Sequence, residues 1–189
     1  MGKVCLMLSL LLWQNVRSYK ILVYSPSTHP ENVNYLGRIA DELVKAGHDV
    51  IIYLPVADPT VKIHGSKLAK LIQDKSYAIA PSALSAPIEH KFRNLWSTNA
   101  YSFGEIFKVF REFTDVQLTN CIKQLQDDEL LRRLKLENFD FAITELMNFC
   151  GFALFNKLGI DKYASVSISD MMEVIVDPLG VSSNPSFVP

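Results

Sequence analysis

Several familiar signatures of chemistry are missing from this chain of 189 residues. There is no G-x-G-x-x-G turn for a dinucleotide, no Walker loop for phosphates and no G-x-S-x-G nucleophile elbow. The four histidines and three cysteines do not fall at metal-ligand spacing, so no metal site is expected. Nineteen basic and twenty acidic side chains give a net charge of −1 without a basic stripe, which excludes a nucleic-acid footprint. Asn184-Pro185-Ser186 is disqualified as a glycosylation sequon by its proline. Beyond the N-terminal stretch no second long hydrophobic run exists, so no transmembrane anchor is expected in a processed chain.

The one long apolar run lies at the start. Lys3 supplies a positive n-region, and Val4 to Trp13 is apolar apart from Ser9. Val16 and Ser18 suit the positions before a cleavage site, so residues 1–18 read as a secretory signal peptide. The expected location is the secretory pathway, in the endoplasmic reticulum lumen or secreted. Cys5 would leave with the leader. Cys121 and Cys150 can either pair in an oxidising lumen or stay as small buried hydrophobes, and the count does not choose between these.

Tyr19 to Pro55 reads as a βαβ unit. Ile21 to Tyr24 is an apolar run, followed by a Ser/Pro-rich loop from Ser25 to Asn34. Leu36, Ile39, Ala40 and Leu43 then follow helical spacing, Gly47 sits where a left-handed cap belongs, and Val50 to Leu54 is a second apolar run. Both strands are continuous rather than alternating, which predicts a parallel sheet buried on both faces. His48, just past the cap, reads as a cation suited to the negative end of the helix.

Further on, Lys67 to Gln73 is expected to be a short helix and Tyr77 to Pro81 a short strand, with His64 in a surface turn. An amphipathic helix is expected from Ser85, with Ile88, Phe92, Leu95 and Trp96 on one face and His90 on the polar side. Ser102 and Glu105 form a capping box, with Tyr101 and Ile106 as the staple, for a long helix whose apolar residues recur from Phe103 to Leu125. Asp127 or Asp128 caps the next helix, ending near Leu136. Phe139 to Thr144 is a strand, Cys150 to Leu158 a helix with Asn148 as cap and Gly159 as stop, and Tyr163 to Ile168 another strand. The fold class that follows is α/β, a Rossmann-like parallel sheet flanked by helices. It spans residues 19–176, with a Pro-rich extended tail over 177–189.

Ligands of such sheets bind beyond the C-terminal strand ends. Two loops leave those ends, one carrying Ser25, Ser27, Thr28, His29, Glu31 and Asn32, the other Glu145 and Asn148. An imidazole oriented by a carboxylate is a usable general base, so His29 with Glu145 is a candidate dyad.

The segments ILVYSP, NYLGRIADELVKAGHDV, FDFAITE, CGFALFNKLGI and NPSFVP, in that order, resemble the UDP-glycosyltransferase family, in particular nematode-type UDP-glucuronosyltransferases. With the leader they cover essentially the whole chain. The resemblance implies a GT-B enzyme whose N-terminal lobe binds a small lipophilic acceptor and whose C-terminal lobe binds a UDP-sugar. The reaction is inverting transfer of a sugar, typically glucuronic acid or glucose. The UDP-sugar is a donor substrate, and no cofactor is bound by the first lobe. Ser25, Asn34, Phe92, Trp96 and Phe103 are the expected acceptor contacts.

The family resemblance also assigns a base and its acidic support. Glu145 occupies the acidic position, as Glu rather than Asp. The pattern Ser-His-x-Asn-Phe-Met-Gly aligns to Glu31 through Gly37 and places Asn32 at the histidine position, with His29 three residues early as the weaker alternative. An amide cannot take up a proton near neutral pH. The donor signature, with its Trp-x-Pro-Gln and His-x-Gly elements, is absent from these 189 residues, and so is the family's membrane helix. The chain therefore corresponds to the acceptor lobe, its tail leading toward a donor-binding lobe that is absent, and alone it is expected to be inactive. The alternatives are a non-catalytic lumenal binding or regulatory module that pairs with full-length relatives, and a poorly stable fragment.

Overall fold

In the computed structural model, residues 18–28, 30–57, 61–77 and 103–168, with Asp177 and Gly180, are described; at several positions between 103 and 116 this holds for the backbone alone. The strands are β1 (Lys20–Tyr24), β2 (Asp49–Pro55), β3 (Lys70–Asp74), β4 (Phe141–Glu145) and β5 (Tyr163–Val166). The helices are α1 (Pro30–Lys45), α2 (Phe103–Leu125), α3 (Asp128–Lys135) and α4 (Phe149–Leu158). Every strand pairing is parallel, in the order β3-β2-β1-β4-β5. The chain steps outward on one side of β1 and then returns to build the other. The point where the order reverses lies between β1 and β4.

The continuous apolar runs have the predicted cause. From their second residue onward β1 and β2 are buried throughout. Ile21, Val23, Val50, Ile52, Leu54 and Ile143 face Val33, Leu36 and Ala40 of α1. Leu22, Tyr24, Tyr53 and Ala142 face the opposite side, against α3 and α4. Each such buried aliphatic side chain is worth roughly 1.5–3 kcal/mol relative to an exposed one. The sheet is therefore sandwiched by two separate apolar layers, the arrangement a parallel sheet requires.

Helix ends follow their chemistry. Gly47 and Gly159 take the left-handed conformation at φ 93° and 77° after α1 and α4. Asp127 caps α3, accepting from Leu130 N–H at 2.9 Å. Asn148 precedes α4, but its side chain makes no capping bond. α1 begins at Pro30, four residues before the expected loop ends, because proline suits the first helical turn. Glu31, Asn32 and Asn34 are thus helical.

The segment Lys67 to Gln73 is not a helix. Residues 67–69 bend, and Lys70–Asp74 pairs with the free edge of β2. Edge pairing to a long buried strand overrides the weak local preference of LAKLIQ. Tyr77 lies in a turn, and residues 78–81 of the expected strand are outside the described ones. β4 starts two residues later than predicted, and β5 ends two residues earlier. The helix expected from Ser85, the Ser102 capping box and the Tyr101 staple lie outside the described residues. His48, just past α1, accepts the Tyr19 N–H at Nδ1 (3.3 Å), which ties the start of β1 to the end of the helix.

The structure pairs Cys121 with Cys150, whose Cα atoms lie 5.4 Å apart. The bridge joins α2 to the first turn of α4. Among the described residues no helix is long and apolar enough to cross a membrane.

Candidate functional site

In open parallel sheets the ligand crevice lies at the C-terminal edge where the strand order reverses and the loops diverge, here between β1 and β4. What occupies it follows from strand register. Tyr24 lies opposite both Tyr53 and Thr144, and Glu145 lies opposite Val166. One residue beyond Tyr24, Ser25 extends β1 by donating its N–H to Tyr53 O at 3.0 Å. Ser25 and Glu145 therefore stand side by side in the last row. Alternation places them on the face that holds Val23 and Ile143, the side covered by α1.

Both are deeply buried. Glu145 is 5% exposed and Ser25 1% exposed. The Glu145 carboxylate accepts the Met147 N–H at 3.0 Å through Oε2, which folds the loop back over the strand end. Among the described residues Ser25 Oγ has no hydrogen-bond partner. An unpaired buried hydroxyl costs about 1–3 kcal/mol, so a polar partner is expected there. Asn32 sits half-buried in the first turn of α1, directly after the β1 loop.

The loop carrying Ser25 is strapped down. Ser27 N–H donates to Pro55 O at 3.1 Å, and Ser27 Oγ accepts from Ala57 N–H at 3.1 Å. On the other side of the crevice Gly151 presses α4 onto β4. A Cβ there would meet Thr144 Oγ1 at 2.3 Å. Both walls are thus fixed by packing.

Behind the edge, on the opposite face, runs a buried polar chain that sequence patterning does not show. Tyr24 OH donates to Gln124 Oε1 (3.2 Å), Gln124 Nε2 to Asn120 Oδ1 (3.2 Å), and Asn120 Nδ2 to Tyr77 O (3.1 Å). Tyr77 OH closes the chain on the Asp127 carboxylate. Burial pushes the Tyr24, Tyr53 and Tyr77 hydroxyls well above the usual phenol range, so all three stay protonated; Tyr24 and Tyr77 donate, whereas Tyr53 OH has no partner among the described residues. Polar residues at helical spacing on α2, Asn120 and Gln124, are the only sequence hint of this chain.

Of the expected site residues, the structure brings Ser25 and Glu145 into one row and Asn32 to the same edge. Asn34 is exposed on α1. His29, Phe92 and Trp96 lie outside the described residues, as does the side chain of Phe103. Among the described residues no three His, Cys, Asp or Glu side chains gather as a metal set.

A solved glycosyltransferase of Streptomyces sp. SF2575, SsfS6, shares this fold with a TM-score of 0.56 at 20% identity, over 84% of this chain and 42% of that one. The glycotransferase of kitacinnamycin matches with a TM-score of 0.52 at 18% identity, over 86% and 34% of the two chains. The sheet is thus the Rossmann-like sheet of GT-B glycosyltransferases. Among curated proteins, the Caenorhabditis elegans protein provisionally named UDP-glucuronosyltransferase ugt-55 is 31% identical over 88% of this chain and 32% of its own length. Human UDP-glucuronosyltransferase 2B17 is 26% identical over 90% and 32%. The chain spans about a third of the length of these curated relatives. The family model described as UDP-glucoronosyl and UDP-glucosyl transferase matches residues 20–189, and the chain belongs to that family.

Proposed function

We propose that this chain is the acceptor-binding lobe of a UDP-glycosyltransferase that moves glucuronic acid or glucose from a UDP-sugar to a hydroxyl of a small lipophilic molecule. The observation that carries this reading is the row at the β1/β4 reversal, where a buried carboxylate and an unpartnered buried hydroxyl stand beside the first turn of α1. In this reading the donor is bound by a second lobe, and this lobe holds no cofactor. The signal-like leader and the paired cysteines support work in the oxidising lumen of the endoplasmic reticulum, where detoxification chemistry on lipophilic compounds would take place.

A second reading is favoured by Asn32. With an amide at the position of the family's base, the lobe serves as a non-catalytic binding or regulatory module that pairs with full-length relatives. One experiment separates the two. The chain is joined to the donor lobe of a full-length relative, and UDP-sugar-dependent glycosylation of phenols is measured. The enzyme reading expects turnover, raised by Asn32→His and unchanged by His29→Ala. Phenol binding without turnover in either form supports the module instead.

A further inference from the structure

Resting on the acceptor-lobe reading, we infer that Glu145 itself receives the proton of the acceptor hydroxyl, with Ser25 as the second hydrogen-bonding group that fixes that hydroxyl, and that the acceptors are therefore neutral phenols or alcohols rather than pre-formed anions. Glu145 is the buried carboxylate of the crevice, and Ser25 Oγ is its neighbour in the row. Ser25 is 99% out of solvent and without a partner among the described residues, so its hydroxyl is a built hydrogen-bonding position and not a surface accident. The row is flanked by apolar Leu54 and Val166, both facing the α1 side. A ligand entering here meets carboxylate, hydroxyl and hydrocarbon, in keeping with a small apolar molecule that carries one hydroxyl.

The surrounding charges favour the same assignment. Residues 25–29, the first turn of α1 and residues 145–149 carry no lysine or arginine. The titratable groups on these segments are His29, Glu31 and Glu145, of which Glu31 is exposed. No lysine or arginine is present on them to hold a phenolate, whereas the Glu145 carboxylate repels one. Asn32, at the start of α1, can donate to or accept from the hydroxyl but cannot remove its proton. In the transfer step the acceptor O–H bond breaks and its proton passes to Glu145 Oε. The freed oxygen electron pair forms the bond to C1 of the sugar, and the C1–O bond to UDP breaks with its pair leaving on UDP. Atoms and charges balance with no further reactant.

The test uses the chain as it stands. Binding of 4-nitrophenol and of 4-nitroanisole is titrated across pH for wild type, Glu145→Gln, Glu145→Asp, Ser25→Ala, Glu31→Gln and His29→Ala. The expected result is that the phenol binds at least tenfold more tightly than the ether, and that this preference is lost as the phenol ionises. Glu145→Gln admits phenolate and flattens the pH dependence. Glu145→Asp keeps it, which preserves the test should the glutamine variant fail to fold. Ser25→Ala lowers the preference for phenol, while Glu31→Gln and His29→Ala leave it unchanged. Equal binding of phenol and ether, survival of the pH dependence in folded Glu145→Gln, or its loss in His29→Ala overturns the assignment. If neither compound binds, the acceptor-lobe reading itself fails, an outcome distinct from those.

Discussion

Asp41 shows how a single side chain can hold a loop that sequence patterns leave unassigned. From the middle of α1 its carboxylate accepts the Ser66 hydroxyl and the N–H groups of Lys67 (3.1 Å) and Leu68 (3.0 Å). Desolvation opposes the charge, yet these hydrogen bonds hold the carboxyl below its ordinary value of 3.8. A depressed carboxylate stabilises the fold above its unfolded value, and the benefit is lost as pH falls through the folded one. Asp41→Asn is therefore expected to cost about 1 kcal/mol at neutral pH, the usual net worth of hydrogen bonding at a partly exposed site. The gap to wild type should close below pH 3.8, as measured by urea melts at several pH values. A gap that stayed constant through that range would mean the carboxylate charge is not what holds the loop. Glu145 was legible in the sequence because it ends an apolar strand whose direction fixes its edge. Asp41 was not, because its partners lie 25 to 27 residues away in a segment without periodicity.

At the scale of elements the same loop decides where α1 lies, and hence where Asn32 sits. Gly37 of α1 meets Gly65 so closely that a Cβ on Gly37 would fall 2.1 Å from the Gly65 carbonyl carbon. Neither backbone can yield as a flexible side chain would. Gly37→Ala is expected to destabilise by at least the ~1–3 kcal/mol typical of overpacking, and to weaken phenol binding by shifting the first turn of α1. A thermal melt with a parallel binding titration checks both; a variant with wild-type melting would show that the contact has slack. α1 and its flanking strands were readable because amphipathic spacing and continuous burial each have one structural solution. β3 was misread for the opposite reason. A five-residue segment with exposed Leu71 carries too little pattern, and its state is set by the open edge of β2. The row joining Ser25 to Glu145 was likewise out of reach, since register between β1 and β4 is a property of the assembled sheet.

For the whole molecule the question is what binds the late half of the chain to the early half. β4 inserts beside β1, and α4 then packs on β4 through the Gly151–Thr144 contact. α2 reaches that pair by two routes: the buried Tyr24–Gln124 bond to β1, and the Cys121–Cys150 bridge to α4. The bridge closes a loop across 29 positions, and a cross-link of that span is typically worth about 2–4 kcal/mol through the unfolded state. Its second anchor, Cys150, lies beside Gly151 and five residues past Glu145, so it also bears on the wall of the crevice. Reduction, or Cys121→Ser with Cys150→Ser, is expected to lower stability by about that amount in denaturant melts. It should also weaken phenol binding beyond what the stability loss alone produces, because the first turn of α4 would then be held by packing alone. Each single serine variant should behave like the double one, since either breaks the same bond. If the double variant instead melts like wild type, the two routes from α2 are redundant, and the buried amide chain through Gln124 is sufficient to join the halves.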